Sequence, residues 1–329
     1  MDDGFNNRTR LRMIHHLDPI VANLQGCFTR ERPPILTIDS GDTVICRTLD
    51  CGWGLDPVAA LDEGDVTAKS IPLAQRHDPQ HDDGHCLVGP IVVRGAEPGM
   101  VLEIAIHEVQ PGPIGATWVG EVRDWLLRLG IEGYAFIPWQ IDATQGIATS
   151  PWGHHIRLRP FLGIIGLAPA APGIHSTMPP RRTGGNLDCK ELVAGSTLYL
   201  PIEMPGALLS FGDGHAVQGD GEVGGTAIEC GMERVALTIR VREDLQLSWP
   251  QANTPAGWLT FGLHADLTEA MLIALNGMLD MMMNRLNSDR AQALALASLT
   301  VDLRITQIVN GVVGVHALWT DRLSVTKRK

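Results

Sequence analysis

The sequence predicts an α+β fold that is predominantly β: a β-sandwich or barrel-like body with a few helices near the C-terminus. Three observations carry this expectation. Val235, Leu237, Ile239 and Val241 alternate strictly with Ala236, Thr238, Arg240 and Arg242, the period of two that marks a half-buried strand. Short apolar runs set off by glycine and proline recur from Ile35 onward. At Asp266 the character changes, and residues 266–284 are rich in Leu, Met, Ala and Asn with no proline.

The elements follow in order. Residues 1–34 read as a loop-rich arm, with His15, His16 and Asp18 ahead of one proline and Arg30 ahead of two more. ILTID and TVICR then flank Ser40-Gly41-Asp42, a hairpin-like turn signal. Residues 55–83 form a polar stretch rich in Asp, Gly, Pro and His. A loop that long in a compact domain is usually functional or mobile. Around residues 95–99 a turn separates two apolar runs, and in the second Leu102, Ile104 and Ile106 share a face opposite Glu103, Ala105 and His107. Residues 118–129 suggest a short helix, residues 155–159 a strand, and PFLGIIGLAPAAPG a buried strand with a proline-rich turn. WLTFG, residues 258–262, is another strand. Leu272, Leu275, Leu279 and Met282 fall at helical spacing, and residues 288–299 read as a second helix with Ser288 as its N-cap. VDLRITQIV and VVGVHALW close the chain as strands. A division at residue 160 puts a β-rich N-terminal part with its arm at 1–160. The glycine-rich segment and helices then lie in 161–329, with one continuous unit as the alternative.

Bulk properties narrow the function. A net charge of −11 argues against nucleic acid as a partner. No run approaches the ~18 apolar residues of a membrane span, so no membrane partner is expected. None of the six cysteines forms a CxxC pair, and the polar N-terminus lacks the apolar region of a signal peptide. These features suggest free thiols in a reducing cytoplasm. No phosphate-loop lysine motif and no GxSxG elbow are present.

Residues 184–229 concentrate the chemistry. Asn186, Asp188, Cys189, Lys190 and Glu191 follow a glycine pair, and Asp213, His215, Gln218, Asp220 and Glu222 are threaded through glycines. On an extended chain Asp213 and His215 point the same way, and their oxygen and nitrogen donors suit zinc or a related divalent ion. The plain alternative is a solvated glycine-rich turn. Asp188 reads as a ligand, an orienting group or a cap. Lys190 could polarise a carbonyl, and Cys189 is a nucleophile or a small buried apolar group. Glu222 and Glu229 are candidate bases, and His85 stands alone before an apolar run. Residues 271–283, rich in methionine, fit core or subunit-interface packing.

Several of these segments together resemble the acetamidase/formamidase family: GPIVVRGAEPGMVLEIAI, RPFLGIIGLAPAAPG, GGNLDCKELVAGSTLYLPI, GALLSFGDGHAVQGDGEVGGTAIE and LRITQIVNGVVGVHA. The resemblance implies a β-rich cytoplasmic homo-oligomer that hydrolyses a small amide, acyclic or lactam, to a carboxylate and ammonia or an amine. It singles out His85, Asn186, Asp188, Lys190, Asp213, His215, Glu222 and Glu229. The resulting expectation is a divalent metal, zinc first, held by Asp188, Asp213 and His215 with His85 as a further ligand, activating water. Glu222 or Glu229 is the base, and Lys190 or Asn186 stabilises the oxyanion. The alternatives are a metal-free amidase using Cys189 or a Glu–Lys pair, and a non-catalytic small-molecule-binding homologue.

Overall fold

Two β-sheets face each other across a shared apolar core in the computed structural model, which describes residues 12–54, 77–119 and 124–320. In the nine-stranded sheet, Met232–Arg242 lies antiparallel between Thr43–Thr48 and Val101–Pro111. Its alternation is met only in part, because Ala236 and Thr238 on the second face are buried as well. Val235, Leu237 and Ile239 are buried, while Arg240 and Arg242 turn outward and grip Glu103 on the next strand at 3.0 and 2.5 Å. In the eleven-stranded sheet, Leu209–His215 is flanked on one side by Phe161–Leu167. On its other side, Leu87–Val93 covers its first half and Glu229–Cys230 its end. Ile104, Leu237 and Ile239 of the first sheet meet Ile165, Leu209 and Phe211 of the second in one core. Among the described residues neither sheet closes on itself, so the body is a sandwich rather than a barrel. Both sheets draw strands from either side of residue 160.

Several local expectations change. Leu36–Ile38 and Thr43–Thr48 do not form a hairpin. The first runs parallel to Leu87–Val93 in one sheet, and the second pairs with Met232–Arg242 in the other. The turn at Gly41, with φ +100, therefore carries the chain between sheets. A turn signal reports local backbone conformation and is silent about which distant strand buries each flank. The N-terminal arm contains a strand, Ile14–Leu17, parallel to Thr43–Thr48, and Asp42 holds it through Met13 N and His15 Nε2, both at 2.9 Å. Residues 1–11 and 55–76, which include most of the long polar stretch, lie outside the described residues. Trp118 and Val119 end a strand, Ile114–Val119, residues 120–123 lie outside the described residues, and a helix is described over Asp124–Arg128.

The C-terminal helices lie where the composition changes. Leu267–Leu286 is capped by Asp266, which accepts from the Thr268 and Glu269 amides. Its buried residues Ala270, Ala274, Met278 and Met282 cluster with Val315 and Ala317 of the Val313–Trp319 strand, so these methionines are core. Leu272 is exposed instead. The second helix, Arg290–Thr300, is capped by Asp289 and not Ser288, through a capping box with Gln292. No described helix is long and apolar enough to cross a membrane. All six cysteines are free.

Candidate active site

His215 ends the Leu209–His215 strand and is the centre of an acidic cluster. Gln218 sets its orientation. The Gln218 amide donates Nε2–H to the Asp188 carbonyl at 2.9 Å, which turns its oxygen toward His215 Nδ1, also at 2.9 Å. Nδ1 therefore donates to Gln218 and Nε2 is the nitrogen left to face the cluster. Nε2 lies 3.1 Å from Glu229 Oε2 and 3.4 Å from Asp213 Oδ2. Asp188 Oδ1 is 4.0 Å from the Nδ1 edge. Phe161 packs edge-on to the ring, with centroids 5.0 Å apart.

The four carboxylates come from four pieces of chain. Asp188 follows the Gly184–Asn186 strand, Asp213 sits within Leu209–His215, Glu222 lies in the glycine-rich loop, and Glu229 begins Glu229–Cys230. With His215 they are only 1–6% exposed. Three of them hold positive φ: Asp188 +46, Asp213 +57 and Glu222 +46. For non-glycine residues that conformation costs about 1–2 kcal/mol each, and such strain concentrates at functional sites. Asp188, His215 and Glu222 each bring one donor atom within 4.8 Å of the others, and Asn310 Nδ2 donates to Asp188 Oδ2. Glu229 Oε1 accepts from the Ala227 amide at 2.7 Å.

Gly163 makes the convergence possible. It lies on the Phe161–Leu167 strand opposite Asp213. A Cβ there would fall 2.5 Å from Asp213 Oδ2, 2.7 Å from Asp188 Oδ1 and 2.8 Å from His215 Cε1. A glycine inside an apolar strand is the sequence signal for such an approach, but the family-bearing segment around it drew attention to its apolar neighbours. Asn310 was equally hidden, because Asn-Gly at 310–311 reads first as a turn.

Charge is the site's main physical problem. Burial and the neighbouring carboxylates push Asp188 up to about 8 and Glu222 well above the carboxylate range, so the pair holds a proton. Burial, the largest single influence, pushes Asp213 the same way, but His215, His85 and hydrogen bonding with His215 and Glu229 together outweigh it and bring Asp213 down to about 2. Burial opposes a charged His215, yet Glu229 and Asp213 raise it well above the ordinary histidine value. Among the described residues no lysine or arginine pairs with these carboxylates. Asp188 Oδ1, Asp213 Oδ1 and Glu229 Oε2 are buried without a hydrogen-bond partner, the Glu229–His215 contact being off the line of one. Buried carboxylates with unpartnered oxygens, two of which (Asp213 and Glu229) have an oxygen within 3.4 Å of His215 Nε2, fit a divalent cation.

The other expected residues sit differently. Lys190 Nζ is drawn to Asp220, at 2.9 Å. Asn186 Nδ2 donates to the Met178 carbonyl at 3.0 Å, and its Oδ1 is buried without a partner. His85 uses Nδ1 on Thr177 Oγ1 at 2.8 Å, although its charge still reaches Asp213. Cys189 is fully buried, and burial pushes its thiol far above the ordinary range. Cys51, given no role by the sequence, lies with Asp213 and Glu229 so that one donor atom from each falls within 4.8 Å of the others.

The sequence profile of the acetamidase/formamidase family matches residues 170–319, which carry Asp188, Asp213, His215, Glu222 and Glu229. Over that stretch, a little under half of its length, the chain is similar to the acetamidase/formamidase family. An acetamidase of Mycolicibacterium smegmatis is 50% identical over an alignment covering 42% of this chain and 49% of that protein. The solved structure of an acetamidase from Bacillus halodurans superposes with a TM-score of 0.77 at 28% identity, covering 93% of this chain and 97% of that chain. A structure from Thermoanaerobacter tengcongensis, described as a predicted acetamidase/formamidase, gives 0.79 at 26% identity, covering 94% and 97%. The chain spans 63% or less of the length of the curated relatives it matches.

Proposed function

We propose that this chain hydrolyses a small amide to a carboxylate and ammonia or an amine at the cluster around His215. One observation carries the reading: four buried carboxylates surround a single imidazole with no lysine or arginine to neutralise them among the described residues. Relatives named acetamidase and formamidase supply the reaction class. The near-complete burial of the cluster suits a short substrate.

The donor set fits a divalent cation, zinc first, held by His215 Nε2, Asp213 and Glu229, with His85 as a further donor. Such an ion would polarise the amide carbonyl and acidify a water. The chain's own groups do the rest. Gln218 keeps the Nδ1 proton in place and so keeps Nε2 available. Asp188 and Glu222 form a proton-sharing pair. Asp188 Oδ1, free of partners, takes a proton from water, and Glu222 gives one to the departing nitrogen. One proton enters the pair and one leaves, so it returns to its starting state. Asn186 and Lys190, with donors engaged at Met178 and Asp220, belong to the walls of the site.

Ammonia release from formamide, acetamide and a γ-lactam tests the reaction, alongside metal content before and after chelation. Turnover that is lost with the metal and restored by zinc supports the reading. Full activity in the metal-free protein overturns the cation, and no turnover of any of the three by metal-loaded protein overturns the reaction.

A further inference from the structure

The turn after Thr43–Thr48 brings a thiol to the acidic cluster. Its backbone is anchored: the Cys86 amide donates to the Cys51 carbonyl at 3.1 Å, tying the turn to the start of Leu87–Val93. That strand borders Leu209–His215, which carries Asp213 and His215. Trp53, at φ +67, donates its indole N–H to the Gly84 carbonyl at 3.0 Å and holds the turn from the other side. The thiol is thereby set beside Asp213 and Glu229, with one donor atom from each of the three within 4.8 Å of the others. Those carboxylates contribute two of the buried oxygens without partners, Asp213 Oδ1 and Glu229 Oε2; Glu229 Oε2 and the other Asp213 oxygen, Oδ2, lie 3.1 and 3.4 Å from His215 Nε2.

We propose that Cys51 is a protein ligand of the cation at the Nε2 edge of His215, completing a Cys–His–Asp–Glu donor set. The inference rests on the cation reading above and goes beyond it in naming the fourth donor and its consequence. Four donors of this kind match the coordination number and ligand types of zinc. The bond forms between Sγ and the ion as the thiol proton leaves to solvent. A thiolate also sets selectivity, since sulfur favours zinc, cobalt and cadmium over magnesium or calcium, which an oxygen-rich site would accept. On the Nδ1 edge, Asp188 and Glu222 remain free for proton transfer.

Cobalt(II) substitution of the full chain tests this directly. The wild type should bind one cobalt and show a near-ultraviolet thiolate-to-cobalt charge-transfer band. Cys51→Ser should lose that band, with zinc affinity lower by at least about 10²-fold and manganese affinity little changed. Far-ultraviolet circular dichroism of the metal-free variant confirms that it folds, and Cys189→Ser, which should keep the band, controls for other thiols. One bound cobalt without the band, or a band that survives Cys51→Ser, overturns the ligand and leaves the cation reading standing. Failure of the wild type to bind cobalt or zinc at all overturns both.

Discussion

Glu191 and the cluster at Asp188, Asp213, Glu222 and Glu229 are neighbours in the chain and equally buried, yet they solve opposite problems. Glu191 is 2% exposed and clamped by Arg159 and by Arg304, whose Nη1 lies 3.1 Å from Oε1. Both of its oxygens are satisfied. The cluster has one imidazole for four carboxylates, three oxygens without partners and three strained backbones. A buried acid that only holds the fold together is paired, because an unpaired buried charge costs several kcal/mol. Groups left unpaired at such cost are expected where chemistry or a ligand needs them.

That contrast can be broken at either end. Glu222→Gln replaces a protonated acid by a neutral amide of similar shape. Activity should fall about 10²- to 10⁴-fold while the urea midpoint of the folded protein barely moves; lost stability with turnover retained would make Glu222 another Glu191. Gly163→Ala should reduce kcat by at least about 10²-fold, because a Cβ 2.5–2.8 Å from three site atoms forces a shift approaching 1 Å. Retained activity with unchanged metal content would show that the convergence on Gly163 is dispensable.

His316 illustrates a third solution, which is to stay uncharged. It is completely buried, with Nδ1 on Thr306 Oγ1 at 2.8 Å, and burial lowers its pKa from 6.5 to about 4. The unfolded chain protonates this residue below about pH 6.5 and the folded chain only near 4. Its contribution is therefore full above pH 6.5, falls as pH drops through that window, and amounts to about 3 kcal/mol lost by the lower end. Denaturant titrations at pH 7 and 4.5 should show a smaller acid loss for His316→Gln than for the wild type; identical losses would remove His316 from the account. The smallest effect is expected from Glu191→Gln. Its arginine partners are partly exposed and can rehydrate, so the cost should be about 1–2 kcal/mol of unfolding free energy. Amide turnover should stay within a few-fold of wild type, and a collapse of activity at unchanged stability would move Glu191 into the site.

Much of this was legible from local pattern. The alternation at residues 235–241 marked a strand correctly, although Ala236 and Thr238 on its second face are buried too and only Arg240 and Arg242 reach toward solvent. Asp266 and the proline-free stretch beyond it gave a helix because a cap and helix-forming residues act locally. The dense polar residues between 184 and 229 marked where chemistry would lie. The hairpin at Gly41 was misread because its two flanks are buried by different sheets. Cys51, Gly163 and Asn310 went unassigned because each reaches the cluster from a segment distant in sequence.

The sequence by itself determined the strand-rich class, the C-terminal helices and the segment that carries Asp188, Asp213, His215, Glu222 and Glu229. These follow from periodicity, caps and residue identity, all local properties. Tertiary structure alone decided which edge of His215 each carboxylate faces, that Gln218 leaves Nε2 available, that Lys190 is drawn off to Asp220, and that Cys51 stands beside Asp213 and Glu229. Those outcomes depend on strand pairing between distant segments and on a strand with no side chain at Gly163. Spacing along the chain does not encode either one.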